Sequence, residues 1–229
     1  MLEVTERAAG ESGREYAHRT LEANIVSLNL APGEVIHLND VAAQMGLSRT
    51  PVREALLDLA KVGIVEVYPQ SGSVVALVDF DLVEEARFLR STLECAVVAE
   101  ACAEAKPELL ARLHESLRAQ EYCLESGQAG TRLLELDNEF HRMLFAAVGK
   151  ERCFEIVRGF SVHFDRVRSM ELTSVRDLKV VSDHRAVLAA LEAHDADAAR
   201  ACMAEHLARY KVEAAAMRAL ALSCRSGLC

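Results

Sequence analysis

The stretch from Leu47 to Val75 reads LSRTPVREALLDLAKVGIVEVYPQSGSVV. Ser48 is an N-cap candidate, and Pro51 in the first turn costs nothing because the amide it lacks has no intrahelical partner there. The pattern predicts a helix from Arg49. Val52, Ala55, Leu56 and Leu59 recur at i, i+3, i+4 and i+7, an apolar stripe for burial, while Arg49, Thr50 and Arg53 fall outside it. The helix is held by one side and reaches outward with the other. Gly63 supplies a C′ stop, and the β-branched run Ile64 to Tyr68 faces Ser73-Val74-Val75 across a Pro69-Gln70-Ser71-Gly72 turn, predicting a short hairpin.

Upstream, residues 1–12 are polar without a period and read as a mobile arm. From Arg14, Tyr16, Leu21, Ile25 and Leu28 give a helical period that ends before Ala31-Pro32-Gly33. Asn39 can cap a short second helix holding Val41, Ala42 and Met45, closed by Gly46. Helix, tight turn, helix and hairpin together predict a winged helix-turn-helix over residues 13–76. A helix N-terminus bearing two arginines four residues apart suits DNA, since its free amides attract phosphate and guanidinium forks pair with guanine or phosphate in the major groove. Taken alone, Arg49 and Arg53 are better explained as a solvated face beside Glu54.

The order Ser48-Arg49-Thr50-Pro51-Val52-Arg53-Glu54-Ala55-Leu56, followed by Leu59 and Gly63-Ile64-Val65, resembles the signature of GntR-type bacterial transcriptional regulators. That resemblance implies operator DNA as partner, with Ser48, Arg49, Thr50 and Arg53 on the helix and Gly72 in the wing facing it. One departure stands out. Many relatives carry an arginine near the start of the second helix, where this chain has Asn39-Asp40, so affinity or the bases read should differ from the usual pattern.

At 229 residues the chain has room for two small domains. No apolar run is long enough to span a bilayer, and the acidic start lacks the core of a signal peptide, so a soluble, cytoplasmic protein is expected. Seven cysteines without CxxC spacing read as reduced core residues, not a zinc or disulfide framework. The net charge of −9 cuts against DNA binding, and even the first 76 residues hold ten acidic against six basic side chains. A few placed arginines must carry affinity, and dimerisation must add the second half-site.

After a junction at 77–79 the pattern turns wholly helical, predicting an all-α bundle over 80–222 and a tail at 223–229. Asp79 or Asp81 can cap a first helix with a Leu82, Ala86, Leu89, Leu93, Val97 stripe. Pro107 opens the next, which Gly127 ends, and Thr131 caps a third running to Val148. Further helical stretches cover 152–168, 178–193 and 196–221. In the third of these helices Asp137 and His141 share a face inside the arc of Leu133, Phe140, Leu144 and Val148. His184 sits among Val180, Val181, Val187, Leu188 and Leu191, and His206 among Ala199, Cys202, Met203 and Tyr210. One such histidine is more simply a core residue bonded to a carbonyl. Three, with a carboxylate, can make a site for a borderline divalent metal, although periodicity shows only that they face inward.

Asp137-Asn138-Glu139-Phe140-His141, Asp183-His184-Arg185-Ala186-Val187-Leu188, and Asp197 to His206-Leu207 resemble the FCD ligand-binding domain of the FadR subfamily of GntR regulators. The resemblance covers residues 16–221. It implies that Asp137, His141, His184 and His206 hold a divalent ion, Zn²⁺ first with Ni²⁺, Mn²⁺ or Fe²⁺ as alternatives, that the chain is a homodimer, and that a small carboxylate effector completes the coordination. Arg90, in an Arg-x-x-x-Glu arrangement with Glu94, could pair the effector's carboxylate or simply its own helix neighbour. His18, His37, His114, His163 and His194 read as surface or structural. The expected protein is an effector-responsive transcriptional repressor and not an enzyme. The competing readings are a metal-dependent hydrolase, for which only Glu139 would be left as a base and the helical period turns it away, and a regulator whose metal is purely structural.

Overall fold

The structure is a computed structural model and describes residues 2–68, 72–103, 105–127, 131–171 and 178–208. Its internal contacts divide the chain into two compact units, Met1–Asp79 and Phe80–Cys229.

In the first unit, helix α1 (Gly13–Val26) opens on a capping box. The Ser12 hydroxyl accepts from the Glu15 N–H at 3.2 Å while a Glu15 carboxylate oxygen accepts from the Ser12 N–H at 2.8 Å, satisfying two end amides. This Ser-x-x-Glu signal was legible in the sequence, yet the period alone placed the start at Arg14. The polar stretch expected as a mobile arm runs along α1: Glu3 and Asn24 exchange two hydrogen bonds of 2.7 and 2.8 Å, the Tyr16 hydroxyl donates to the Thr5 carbonyl, and Arg19 pairs with Glu11. Helix α2 (Leu38–Gln44) starts after His37, so Asn39 stands inside its first turn and does not cap it.

Helix α3 (Arg49–Lys61) buries Val52, Ala55, Leu56 and Leu59 against α1, as the stripe predicts. Ser48 takes the extended backbone of an N-cap, but its side chain makes no cap bond. Gly63, at φ +79°, ends the helix and lets the Ile64 N–H reach the Leu59 carbonyl. The hairpin is β2 (Val65–Tyr68) against β3 (Gly72–Val75), in register with Val65 opposite Val75 and Tyr68 opposite Gly72. Turn residues 69–71 lie outside the described residues. A third strand that the sequence did not betray, β1 (Val35–Ile36), pairs with the free edge of β3. Two residues after a Pro-Gly pair are too short for an alternation to register, and closing the wing's inner edge is what makes them a strand.

The second unit is all helix among the described residues: α4 (Phe80–Ala103), α5 (Pro107–Glu125), α6 (Thr131–Ala147), α7 (Glu151–Phe160), α8 (Val162–Glu171), α9 (Leu178–Glu192) and α10 (Ala196–Ala208). Helix α4 is central, packing on α6, α7, α8, α9 and α10. Its buried face is not the expected leucine stripe. Val83, Ala86, Arg90, Glu94, Val97, Val98 and Ala101 point inward, while Leu82 is exposed and Leu89 and Leu93 only half-buried. Two charged residues are thus turned into the core. The single helix expected over 152–168 is broken at Ser161, whose hydroxyl donates to the Val157 carbonyl while its own carbonyl accepts from the Asp165 N–H, ending α7 and starting α8. Thr131 is the first residue of α6, not a residue before it. The part of the last helix expected beyond 208 lies outside the described residues, as do Cys224 and Cys229. The five described cysteines are free thiols.

Candidate metal centre and DNA-reading surface

The outward side of α3 presents Ser48, Arg49, Thr50 and Arg53, all exposed, beside Glu54 and Leu57. Neither arginine makes an ion pair among the described residues. Gly72, also exposed, adopts φ +103°, and a Cβ there would meet nothing within 4 Å, so backbone conformation and not space calls for glycine. Asn39 and Asp40 are exposed on α2. The surface therefore joins two unencumbered guanidinium groups at a helix N-terminus to an acidic neighbouring helix.

In the second unit, α6 supplies Asp137 and His141, α9 supplies His184 and α10 supplies His206, each at most 1 % exposed. One ligand atom from each lies within 4.8 Å of every other. The inward nitrogens are all Nε2: His141 and His206 face each other at 3.2 Å, His184 lies 3.5 Å from Asp137 Oδ1, and His141 lies 3.7 Å from Asp137 Oδ2. Donors bound 2.0–2.1 Å from one ion stand about 3.0–3.4 Å apart at octahedral or tetrahedral angles. The His141–His206 separation falls in that range, and the others, all within 4.8 Å, are wider.

The opposite ring nitrogens explain why Nε2 faces inward. Nδ1 of His141 meets Glu94 Oε2 at 2.5 Å, Nδ1 of His184 meets Gln120 Oε1 at 2.8 Å, and Nδ1 of His206 meets Asp183 Oδ2 at 3.2 Å. Hydrogen bonds from Nδ1 of His184 and His206, and the ion-pair contact at Nδ1 of His141, leave each Nε2 lone pair aimed at the centre. Facing lone pairs repel unless a cation lies between them, and His184 Nε2 is buried with no hydrogen-bond partner. Burial and the neighbouring imidazoles push the pKa values of His184 and His206 well below the usual histidine value, keeping the neutral, ligating form. Phe140 stacks on the His184 ring at 4.1 Å and fixes its plane. These residues fit a divalent ion.

Charges around the cluster are compensated. Burial pushes Glu94 up, but Arg90 and His141 outweigh it and hold the carboxyl well below the usual range. Arg90 binds Glu94 at 2.6 Å and lies over the Phe164 ring. Arg168 contacts Asp137 and also reaches Asp165 at 2.8 Å and Asn138 at 2.9 Å. Glu139 points away and pairs with Arg142. Periodicity found the four inward residues but missed Glu94, Gln120, Asp183 and Arg168. Glu94 four residues after Arg90, and Gln120 in the Leu113-Leu117 stripe, were the available signals. Among the histidines expected at the surface or in structural roles, His163 is buried on α8, and His194 turns a corner at φ +52° with Nδ1 against the Cys102 carbonyl.

Comparison with known proteins gives the same two halves. Residues 14–75 match the family described as bacterial regulatory proteins, gntR family, and residues 85–209 match the FCD domain. An HTH-type transcriptional regulator in an unstable DNA locus of Streptomyces ambofaciens is 35% identical over 86% of this chain and 83% of its own. The HTH-type transcriptional repressor RspR of Escherichia coli K12 is 30% identical over 84% of this chain and 85% of its own. Among solved structures, E. coli McbR/YncC superposes with a TM-score of 0.77 at 24% identity, covering 91% of this chain and 99% of that one, a likeness of fold. No described helix is long and apolar enough to cross a membrane.

Proposed function

The chain belongs to the gntR family of bacterial regulatory proteins and is a DNA-binding transcriptional regulator with an FCD domain, and from that premise we propose that it is a cytoplasmic homodimeric repressor of the FadR subfamily, controlled by a small carboxylate bound at a divalent metal. The observation that carries the sensing half is the convergence of three Nε2 nitrogens and Asp137 Oδ1, with every Nδ1 tied to an oxygen of another side chain. Four protein ligands on an ion that accepts five or six leave room for an effector oxygen, and three nitrogens with one oxygen suit Zn²⁺ first, Ni²⁺, Mn²⁺ or Fe²⁺ also. The ion would supply Lewis acidity toward the effector's carboxylate. Asp137, His141, His184 and His206 hold it, and Arg168, reaching Asp137 from α8, stands where the effector's other charge could register. Arg90, which binds Glu94 at 2.6 Å, is proposed to pair the effector's carboxylate as well. Repression is supported by the name of the RspR relative. The hydrolase reading has no support, since the relatives are regulators and Glu139 faces away.

A thermal-shift screen of mono-, di- and hydroxycarboxylates against metal-loaded protein tests this reading. An effector at 100 times its dissociation constant adds roughly 2.7 kcal/mol of stability. The gain should vanish in Asp137→Ala, and an acid that stabilises both proteins equally would detach the effector from the metal. If no acid stabilises either protein, the metal is structural or the effector lies outside this class.

The recognition surface is tested separately. Ser48, Arg49, Thr50, Arg53 and Gly72 form the proposed DNA-reading set, and Arg49→Ala or Arg53→Ala should each cost operator binding about 1–3 kcal/mol if its guanidinium reads a base. Both side chains are solvent-facing, so the melting temperature should hold. Unchanged operator affinity in both variants would remove α3 from the major groove.

A further inference from the structure

Each of the four candidate ligands is at most 1 % exposed, so an ion reaches the centre only if some side chain moves. The three groups that hold the outer ring nitrogens are not equally deep. Glu94 is 2 % exposed and Gln120 0 %, whereas the side chain of Asp183 is 20 % exposed. Of these three partners Asp183 alone stands well into solvent, and it is a carboxylate.

Its position on the helix explains the arrangement. Asp183 directly precedes His184 on α9, and one residue of helix turns it about 100° away from that ligand. It reaches across to α10 instead, where Oδ2 meets Nδ1 of His206 at 3.2 Å. That is the longest of the three Nδ1 contacts, against 2.5 Å for His141 and 2.8 Å for His184. His206 is also the histidine whose Nε2 lies furthest from Asp137, at 4.0 Å against 3.5 Å for His184 and 3.7 Å for His141. The least tightly held ligand is therefore the one tied to the solvent-touching carboxylate. The side of the cluster facing α8 is guarded differently. There the buried Arg168 guanidinium contacts Asp137, and a fixed positive charge opposes the approach of a cation.

We infer that Asp183 is the point of entry for the ion, its carboxylate drawing the hydrated cation to the seam between α9 and α10 and His206 turning outward to admit it. The inference rests on the metal-centre reading above and adds to it the route. Asp183 then has two tasks: it orients the His206 ring, and it raises the local concentration of cations at the only partner open to solvent among the three.

Stopped-flow mixing of the metal-free full chain with Co²⁺, followed by the visible absorbance the ion gains among nitrogen ligands, measures uptake directly. Asp183→Asn keeps the volume and an acceptor oxygen for His206 and removes only the charge. It should take up Co²⁺ about 10-fold more slowly. Wild-type uptake should also slow with added salt more steeply than the variant's, since screening acts on the charge that the variant lacks. Gln120→Ala should take up Co²⁺ within about 2-fold of the wild-type rate, its lost affinity appearing in release. An Asp183 that merely orients its ring would behave as Gln120 does, changing release and leaving uptake and its salt dependence alone. That result overturns the entry route while leaving the metal centre intact. A wild-type chain that takes up no Co²⁺ overturns both.

Discussion

His184→Ala is expected to strip the metal from the protein. A four-ligand zinc site of folding strength is worth about 10–16 kcal/mol, so one ligand carries on the order of 3–4 kcal/mol, roughly a hundred- to a thousand-fold in affinity. Metal content after dialysis should fall from one ion per chain to near none, while Gln120→Ala, which frees only the far side of the same ring, should weaken binding about 10–100-fold. The contrast between the two variants separates a ligand from the group that orients it. Full metal retention in His184→Ala would remove this histidine from the centre, and Asp137→Ala, whose side chain faces the same point from α6, gives an independent reading of the same site.

Glu94→Ala should be the most destabilising single change in the second unit. The carboxylate is 2 % exposed and answers both the buried Arg90 guanidinium and the Nδ1–H of His141. Removing one side of a buried ion pair costs about 3–5 kcal/mol, because the remaining charge loses its compensation out of water. Urea unfolding measures the loss directly. Glu94→Gln keeps the volume and one acceptor oxygen, so it should recover part of the stability and hold His141 in place less firmly. If Glu94→Ala unfolds at the wild-type urea concentration, the pair is neutral to the fold and Arg90 is compensated by other groups.

How far these features could be read from the sequence depended on the kind of signal each leaves. The reading helix was legible because one element carries all its cues: an N-cap position, a proline at a tolerated place, an unbroken stripe and a glycine stop. The candidate metal ligands were legible as inward-facing residues because three histidines within apolar arcs are hard to place elsewhere. Their meeting was not, since it depends on how α6, α9 and α10 cross. On α4 the period misled. Leucines at 82, 89 and 93 gave the stronger apolar stripe, but the buried face carries Arg90 and Glu94 among Val83, Ala86, Val97 and Val98, the two charges being buried with each other and with His141. A hydrophobicity pattern locates a core only where the core is hydrophobic. The break at Ser161 and the strand at Val35–Ile36 were missed for a different reason, both being local events of one or two residues whose partners lie outside any window of periodicity.

The candidate ligands of the proposed metal centre are spread along the chain, two at positions 137 and 141, one at 184 and the last at 206. Synthesis proceeds from the N-terminus at about 5–20 residues per second. Strand β3, which completes the wing, is therefore synthesised roughly 7–26 seconds before His206. Newly made protein passes through an interval in which the reading head can fold while the sensor still lacks its final ligand. On the function proposed above, metal supply acts after translation as a maturation step, and a cell short of the ion accumulates chains able to touch DNA but deaf to their metabolite.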